Sequence, residues 1–258
     1  MAEPNVIVER RERVGILTLN RPQAMNTFNV PMARELNDGL WAFEHDPQVR
    51  VVVIRANGPH FSTGISLDEF KDKTHAEYRA FLGKMDEQNH TLARMKKPVI
   101  ASVRGYALAN GAGLSFACDM TVAADTAKFG TTAINVGLIC LGPAVPMLRS
   151  LGRKKALELV LTGDILGAAE AERLGLVNKV VPEAELEEAT MELAKKLAAK
   201  SPLAIQIGKE GIYALQDVPY HQAIDYMDEL FAALAGTEDA GEGVQAFLEK
   251  RPPKWQGR

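Results

Sequence analysis

Cysteine is nearly missing from this chain. Two occur in 258 residues, Cys118 and Cys140, each inside an apolar run. Two such thiols do not make a disulfide scaffold, and a reducing compartment fits them better. No His/Cys cluster has metal-ligand spacing, so no metal is expected. Charge of one sign is missing too: 30 Lys and Arg stand against 33 Asp and Glu, a net −3. That balance argues against a broad nucleic-acid-binding face. No run of about 18 apolar residues exists to span a membrane. The opening "MAEPNVIVERRERVG" lacks the apolar segment of a signal peptide, which makes the cytoplasm the expected location. The glycines Gly105, Gly111 and Gly113 do not have the G-x-G-x-x-G spacing of a dinucleotide site, and no G-x-x-x-x-G-K-[ST] occurs.

What remains is globular composition, 47% hydrophobic and 24% charged, long enough for one large domain or a domain plus an appendage. Val6–Arg11 and Val14–Asn20 read as a hairpin. Met32, Leu36, Leu40 and Phe43 recur at helical spacing up to Pro47. The β-branched run Val49–Gly58 reads as a strand buried on both faces. A helix is expected over Ala76–Lys96, with Phe81, Met85, Leu92 and Met95 on one face. "KPVIASVRG" reads as another buried strand, and "DMTVAADTAKFG" as one more short strand. Strands alternate with helices to about residue 180, an α/β layered pattern, and the chain is helical thereafter.

Two loops stand out. "HFSTGISL" follows the strand at Val51–Ile54, and "ALANGAGL" follows the strand at Val99–Val103. Both place glycine where backbone must approach something closely. A helix starting near Asn110 leaves its first N–H groups unpaired, and its dipole favours negative charge there. Converging N–H groups from the two loops would form an oxyanion hole, each donor contributing roughly 3–4 kcal/mol to a developing negative charge. The plainer alternative is that Gly64, Gly111 and Gly113 only permit tight packing.

The segments "LNRPQAMNTF", "FSTGISLDEF", "KPVIASVRGYALANGAGLSFACDMTVAADTAKFG", "LVLTGDILGAAEAERLGLVNKVVP" and "TEDAGEGVQAFLEKRPPKW", in that order, resemble the enoyl-CoA hydratase/isomerase (crotonase) superfamily over nearly the whole chain. The resemblance implies an α/β fold of the crotonase-like ββα spiral type. A spiral core binding acyl-CoA would occupy residues 1–200, and a helical C-terminal trimerisation region 201–258. It implies a homotrimer or dimer of trimers, no membrane or nucleic-acid partner, and no cofactor apart from the coenzyme A of the substrate. The thioester oxygen would be held by the N–H groups of Ile65 and Asn110, although relatives usually carry glycine where Asn110 stands. Ala24, Met25, Thr63, Gly64, Ile65, Leu67 and Gly111 match the stretches that bind CoA and substrate.

The departures concern chemistry. The two positions that carry glutamates in hydratases are Gly113 and Ala133, and the position that carries an aspartate in some relatives is Leu141. Each acid–base group is worth about 10²–10⁴-fold, so efficient hydration is not expected. Enolate or oxyanion stabilisation remains within reach of the amides alone. Ser66, His90, Asn135 and Cys140 are second-rank candidates. Against them stand a helix-capping role for Ser66, a loop-pinning role for Asn135 and a buried structural thiol at Cys140. Tyr106 and Tyr226 are hydroxyls with packing as the simpler use, and His60 reads as surface. Asp68 stands where a lysine would meet a CoA phosphate, with Lys97, Lys250 or Lys254 as substitutes. A lyase or isomerase of acyl-CoA thioesters is the leading reading. A non-catalytic acyl-CoA-binding paralogue and an acyl-CoA hydrolase or decarboxylase are the alternatives.

Overall fold

The computed structural model describes residues 3–258. The chain begins with a hairpin, β1 (Val6–Arg11) and β2 (Val14–Leu19), followed by α1 (Val30–His45) and β3 (Val51–Ala56). Then come α2 (His75–Arg94), β4 (Val99–Val103), β5 (Tyr106–Leu108) and α3 (Asn110–Ala117). The chain continues through β6 (Met120–Ala124), β7 (Lys128–Gly130), α4 (Leu141–Ser150) and α5 (Arg153–Thr162). β8 (Ile165–Gly167), α6 (Ala168–Arg173) and β9 (Lys179–Val181) close this part. Four helices complete the chain: α7 (Leu186–Ala198), α8 (Pro202–Leu215), α9 (Tyr220–Ala235) and α10 (Glu238–Leu248).

One sheet runs β1-β2-β3-β4-β6-β9, parallel from β2 onward, and a small one runs β5-β7-β8. The segment expected to give a single short strand after Asp119 therefore gives two, β6 and β7, one in each sheet. The chain turns at Asp125–Ala127 and crosses from one ladder to the other, a change of direction that the run of small residues does not announce. Each long strand of the spiral thus leads to a short extended piece and then a helix. The loop after β3 joins the small sheet through a parallel bridge of Ser62 with Ala107.

Parallel sheets are covered on both faces, so their strands read as continuous apolar runs. Alternate residues divide between two cores. Leu17, Val52, Ile54, Ala101 and Val103 face α1, α2 and α3, packing against Met32, Leu36, Phe81 and Leu114. Ile16, Val51, Val53 and Ile100 face the opposite way, against Leu186, Ala189 and Ala194 of α7. Complete burial of a leucine of this kind contributes about 1.5–3 kcal/mol. Among the described residues no helix is long and apolar enough to cross a membrane.

The later helices are tied down by buried polar clamps. Asp119 accepts from Lys209 Nζ at 2.8 Å, from the Tyr213 hydroxyl at 3.0 Å and from Val99 N at 2.7 Å, fixing α8 to the spiral. Asp239 accepts from Ser201 Oγ at 2.9 Å and from Gln256 N at 2.6 Å. α9 buries none of its residues within the chain.

Fully buried Asn26 holds the loops together. Its carbonyl oxygen accepts from Arg21 N at 2.7 Å, and its amide donates to Asn57 O at 2.9 Å and His60 O at 2.8 Å. Asn26→Ala would remove the side-chain partner of three backbone groups on Arg21, Asn57 and His60. Equilibrium denaturant unfolding should show a loss of about 3 kcal/mol, and an unchanged midpoint would mean the loops hold themselves.

Candidate active site

The two glycine-bearing loops lie on consecutive turns of the spiral, and backbone pairing sets which amides are left over. In the parallel bridge of Phe28 with Ile65, Phe28 N donates to Gly64 O at 2.7 Å and Ser66 N donates to Phe28 O at 2.8 Å. Amides alternate in direction along an extended segment, so the Ile65 N–H faces away from Phe28, toward the next turn. There Ala109 N donates to Gly130 O at 2.8 Å, and Asn110 opens α3. Neither Ile65 N nor Asn110 N donates to an acceptor among the described residues. The loops touch: a Cβ on Gly64 would lie 2.8 Å from Ala109 Cβ and 3.7 Å from Asn110 N, and one on Gly111 only 2.2 Å from Ser62 O. Tight packing and free amides therefore occur together, because the glycines let the turns touch where the Ile65 and Asn110 amides lack acceptors.

Ala109 has φ 47° and ψ −120°, outside the regions open to most side chains, at a cost of about 1–3 kcal/mol. As N-cap of α3 it offers no side-chain acceptor. By contrast, Asn29, Thr74, Ser201 and Thr237 each cap their helices with a side-chain oxygen. The first N–H groups of α3 thus keep their full partial positive charge.

The stretches matched to CoA binding are stitched together. Thr63 N donates to Met25 O at 3.2 Å, which places Ala24 and Met25 beside Thr63, Gly64 and Ile65, and Gly111 lies under the Ser62 carbonyl. Met25 and Leu67 expose 49% and 61% of their surface, which leaves an apolar rim available to a ligand.

The second-rank candidates do not assemble. Ser66 precedes a short 3-10 turn over Leu67–Phe70 but its hydroxyl makes no cap bond; the carbonyl of Ser66 takes the Glu69 N–H instead, correcting the capping role. His90 is exposed on α2. The Asn135 amide sits about 3.0 Å from where a Cβ on Gly163 would stand, held against the end of α5. Cys140 is buried, and burial pushes its thiol above the ordinary range, unsuited to a thiolate nucleophile. His60 is half-buried rather than at the surface: its ring packs on Tyr106 at 4.8 Å between centroids, and Tyr106 N donates to its Nδ1 at 3.3 Å. Tyr226 is half-buried on α9.

The phosphate-binding substitutes fare differently. Lys97 Nζ donates to Phe43 O and Asp46 O, both at 2.6 Å, closing the end of α1, so it is not free for a phosphate. Lys250 and Lys254 are exposed at the C-terminal end. Asp68 is paired with Lys71 at 3.2 Å.

The three positions at which the resemblance leads one to expect acids have distinct surroundings. A Cβ on Gly113 would meet Pro143 Cα, Cβ and Cγ, each at 3.0 Å, so α4 closes that position. Ala133 lies in a 3-10 turn over Thr132–Val136, and Leu141, the first residue of α4, is 64% exposed.

A carboxylate reaches this space from elsewhere. Asp86, on α2, accepts from Asn110 Nδ2 at 3.3 Å, and both its oxygens would lie 2.8 Å from a Cβ on Gly142. Burial raises its pKa above the usual aspartate range, opposed by the nearby His90 charge and the Asn110 hydrogen bond. Sequence reasoning missed this residue. Its only signal was an acid at helical spacing between Leu82 and Asn89, on a face that nothing in the sequence aims at the two loops. Among the described residues no three acidic, histidine or cysteine side chains are grouped to hold a metal ion.

This architecture, with a parallel spiral, two stacked loops and a helical tail, defines a protein of the crotonase fold. The chain belongs to the enoyl-CoA hydratase/isomerase family, whose sequence profile matches residues 9–258. It is 37% identical over 259 residues to a probable enoyl-CoA hydratase of Mycobacterium tuberculosis, with 100% of both chains covered. It is 38% identical over 257 residues to the 2,3-dehydroadipyl-CoA hydratase of Escherichia coli, covering 98% of this chain and 99% of that one. A crystal structure of an enoyl-CoA hydratase of Mycobacterium smegmatis superposes with a TM-score of 0.95 at 36% identity, covering 98% of this chain and 99% of that chain.

Asp86 carries a stability signature of its own. Its pKa is higher folded than unfolded, where about 3.9 is expected. The unfolded chain therefore ionises first, and stability falls as pH rises through that interval. Asp86→Asn should raise the melting temperature at pH 7 to 8, with the gain fading toward pH 4. A lower melting temperature at pH 7 would show instead that the carboxylate is well compensated.

Proposed function

We propose that this chain acts on an acyl-CoA thioester by collecting negative charge from the thioester oxygen onto the N–H groups of Ile65 and Asn110. The observation that carries this is the pair of unpartnered amides on touching loops. Preorganised donors in a partly dry site stabilise an enolate or tetrahedral oxyanion without reorganising at the moment of reaction. The α3 dipole adds to the Asn110 donor. The paired stretches around Ala24–Met25 and Thr63–Leu67 would cradle the CoA, and no other cofactor is called for. The relatives named as hydratases support an enoyl-CoA or related substrate. Gly113, closed by Pro143, together with Ala133 and Leu141, speaks for isomerase or lyase chemistry rather than efficient classical hydration. The same three residues support a second reading, a paralogue that binds acyl-CoA without turning it over.

The protein is further proposed to assemble as a homotrimer or dimer of trimers through the helices after residue 200. No residue of α9 is fully buried within the chain, and Phe231, Phe247 and Leu248 expose 70%, 83% and 75% of their surface. Apolar area of this kind is normally covered by a partner.

Crotonyl-CoA and 3-butenoyl-CoA, followed chromatographically with purified protein, separate the readings. Turnover is expected, with isomerisation faster than hydration. Gly64→Ala, which wedges a methyl between the loops, should lower kcat by about 10²–10³. Binding without turnover of any acyl-CoA would favour the paralogue, and no binding would remove the proposal. Light scattering should give a mass of three or six chains, reduced by Phe231→Asp; a single-chain mass for the unaltered protein would overturn the assembly.

A further inference from the structure

Resting on the acyl-CoA reading above, we infer that Asp86 is the proton-transfer group of this site, supplied by α2 in place of the acids that α3 and the turn at Ala133 do not carry. Three observations place it there. Its carboxylate is bonded to the side chain of Asn110, the residue whose backbone N–H is one of the two unpartnered amides. It lies over Gly142 in the first turn of α4, where a Cβ would stand 2.8 Å from both of its oxygens, so the carboxylate keeps this place because position 142 has no Cβ. It is half-buried, and Asn110 is the only hydrogen-bond partner of its carboxylate among the described residues. A carboxylate built to cap α3 or α4 would accept from backbone N–H groups, and Asp86 accepts from none among the described residues.

The surroundings suit the task. Burial holds the carboxyl toward its neutral form, while the uncapped starts of α3 and α4 and the Asn110 amide favour the anion. A group balanced in this way can both take and return a proton. Ionised Asp86 takes a proton from the carbon beside the thioester carbonyl. The C–H electron pair becomes the carbon–carbon double bond of an enolate, and the carbonyl π pair moves onto the oxygen held by the two amides. The protonated carboxyl then returns its proton. Delivery to the same carbon restores the substrate, and delivery to the far end of a conjugated enolate gives the double-bond isomer. No water, metal or second carboxylate enters the balance. This favours substrates with an acidic α-hydrogen, above all those with a β,γ double bond.

The test is solvent exchange. Butyryl-CoA and 3-butenoyl-CoA are incubated in D2O with the unaltered protein and with Asp86→Asn, and deuterium in the acyl group is read by mass spectrometry. Binding of both probes is measured by calorimetry, and folding of the variant by its thermal transition. The unaltered protein should introduce deuterium, and Asp86→Asn should slow this by about 10²-fold or more with binding kept. The amide preserves shape and a hydrogen-bond acceptor, so a merely positioning carboxylate would leave exchange in place, and undiminished exchange overturns the inference. Binding without exchange in the unaltered protein overturns it as well, while leaving the acyl-CoA pocket standing. Failure to bind either probe removes the pocket reading and this inference together. Should Asp86→Asn not fold, Asp86→Ala is compared with and without added formate, and recovery of exchange by formate supports Asp86 as the proton carrier while its absence counts against it.

Discussion

Parallel pairing between consecutive turns of the spiral is the constraint on which the rest depends. Phe28 with Ile65 and Ser62 with Ala107 fix the height of each loop relative to the next, to within one peptide. The same bonds that hold the turns leave the Ile65 amide without an acceptor among the described residues. Gly64 and Gly111 make this stacking sterically feasible, and Asn26 supplies the hydrogen bonds that an irregular loop cannot make for itself. A shift of one residue in either bridge would turn the amides away from each other. The site is thus a by-product of how the core is closed rather than a separate addition to it.

Electrostatics reinforces the backbone geometry. Most of the longer helices are capped by their own side chains, whereas α3 and α4 begin without side-chain caps beside the loops. Positive helix ends, strain at Ala109 and a half-buried carboxylate at Asp86 all lie within a short span of chain contacts. Each is a local cost, and the two buried cores on either face of the sheet supply the stability that tolerates it.

Family membership and residue chemistry give different kinds of information. The profile match and the superposition establish the scaffold, because spiral, loops and tail are preserved at about 36% identity. They say nothing of which side chains move protons. Pro143 fills the space beside Gly113, and α2 brings Asp86 against the Asn110 side chain and Gly142. Reaction type within such a fold depends on these few side chains.

The spiral class, the buried parallel strands, the glycine loops and the lack of acids at Gly113, Ala133 and Leu141 were all legible in the sequence. Those features are local, carried by apolar periodicity, glycine placement and ordered motifs. The split of the segment after Asp119 into β6 and β7 was not legible, since small residues fit either ladder and only the neighbouring strands select. The uses of Ser66, His60 and Lys97 were equally hidden, because a hydroxyl, a ring or an ammonium finds its partner among whatever backbone lies nearby. Asp86 shows the limit most clearly. It is 24 residues from Asn110 along the chain and 3.3 Å from it in space. Sequence determined that α2 would be an amphipathic helix, but the packing of α2 against α3 and α4 decided that this carboxylate would meet the Asn110 side chain at the start of α3.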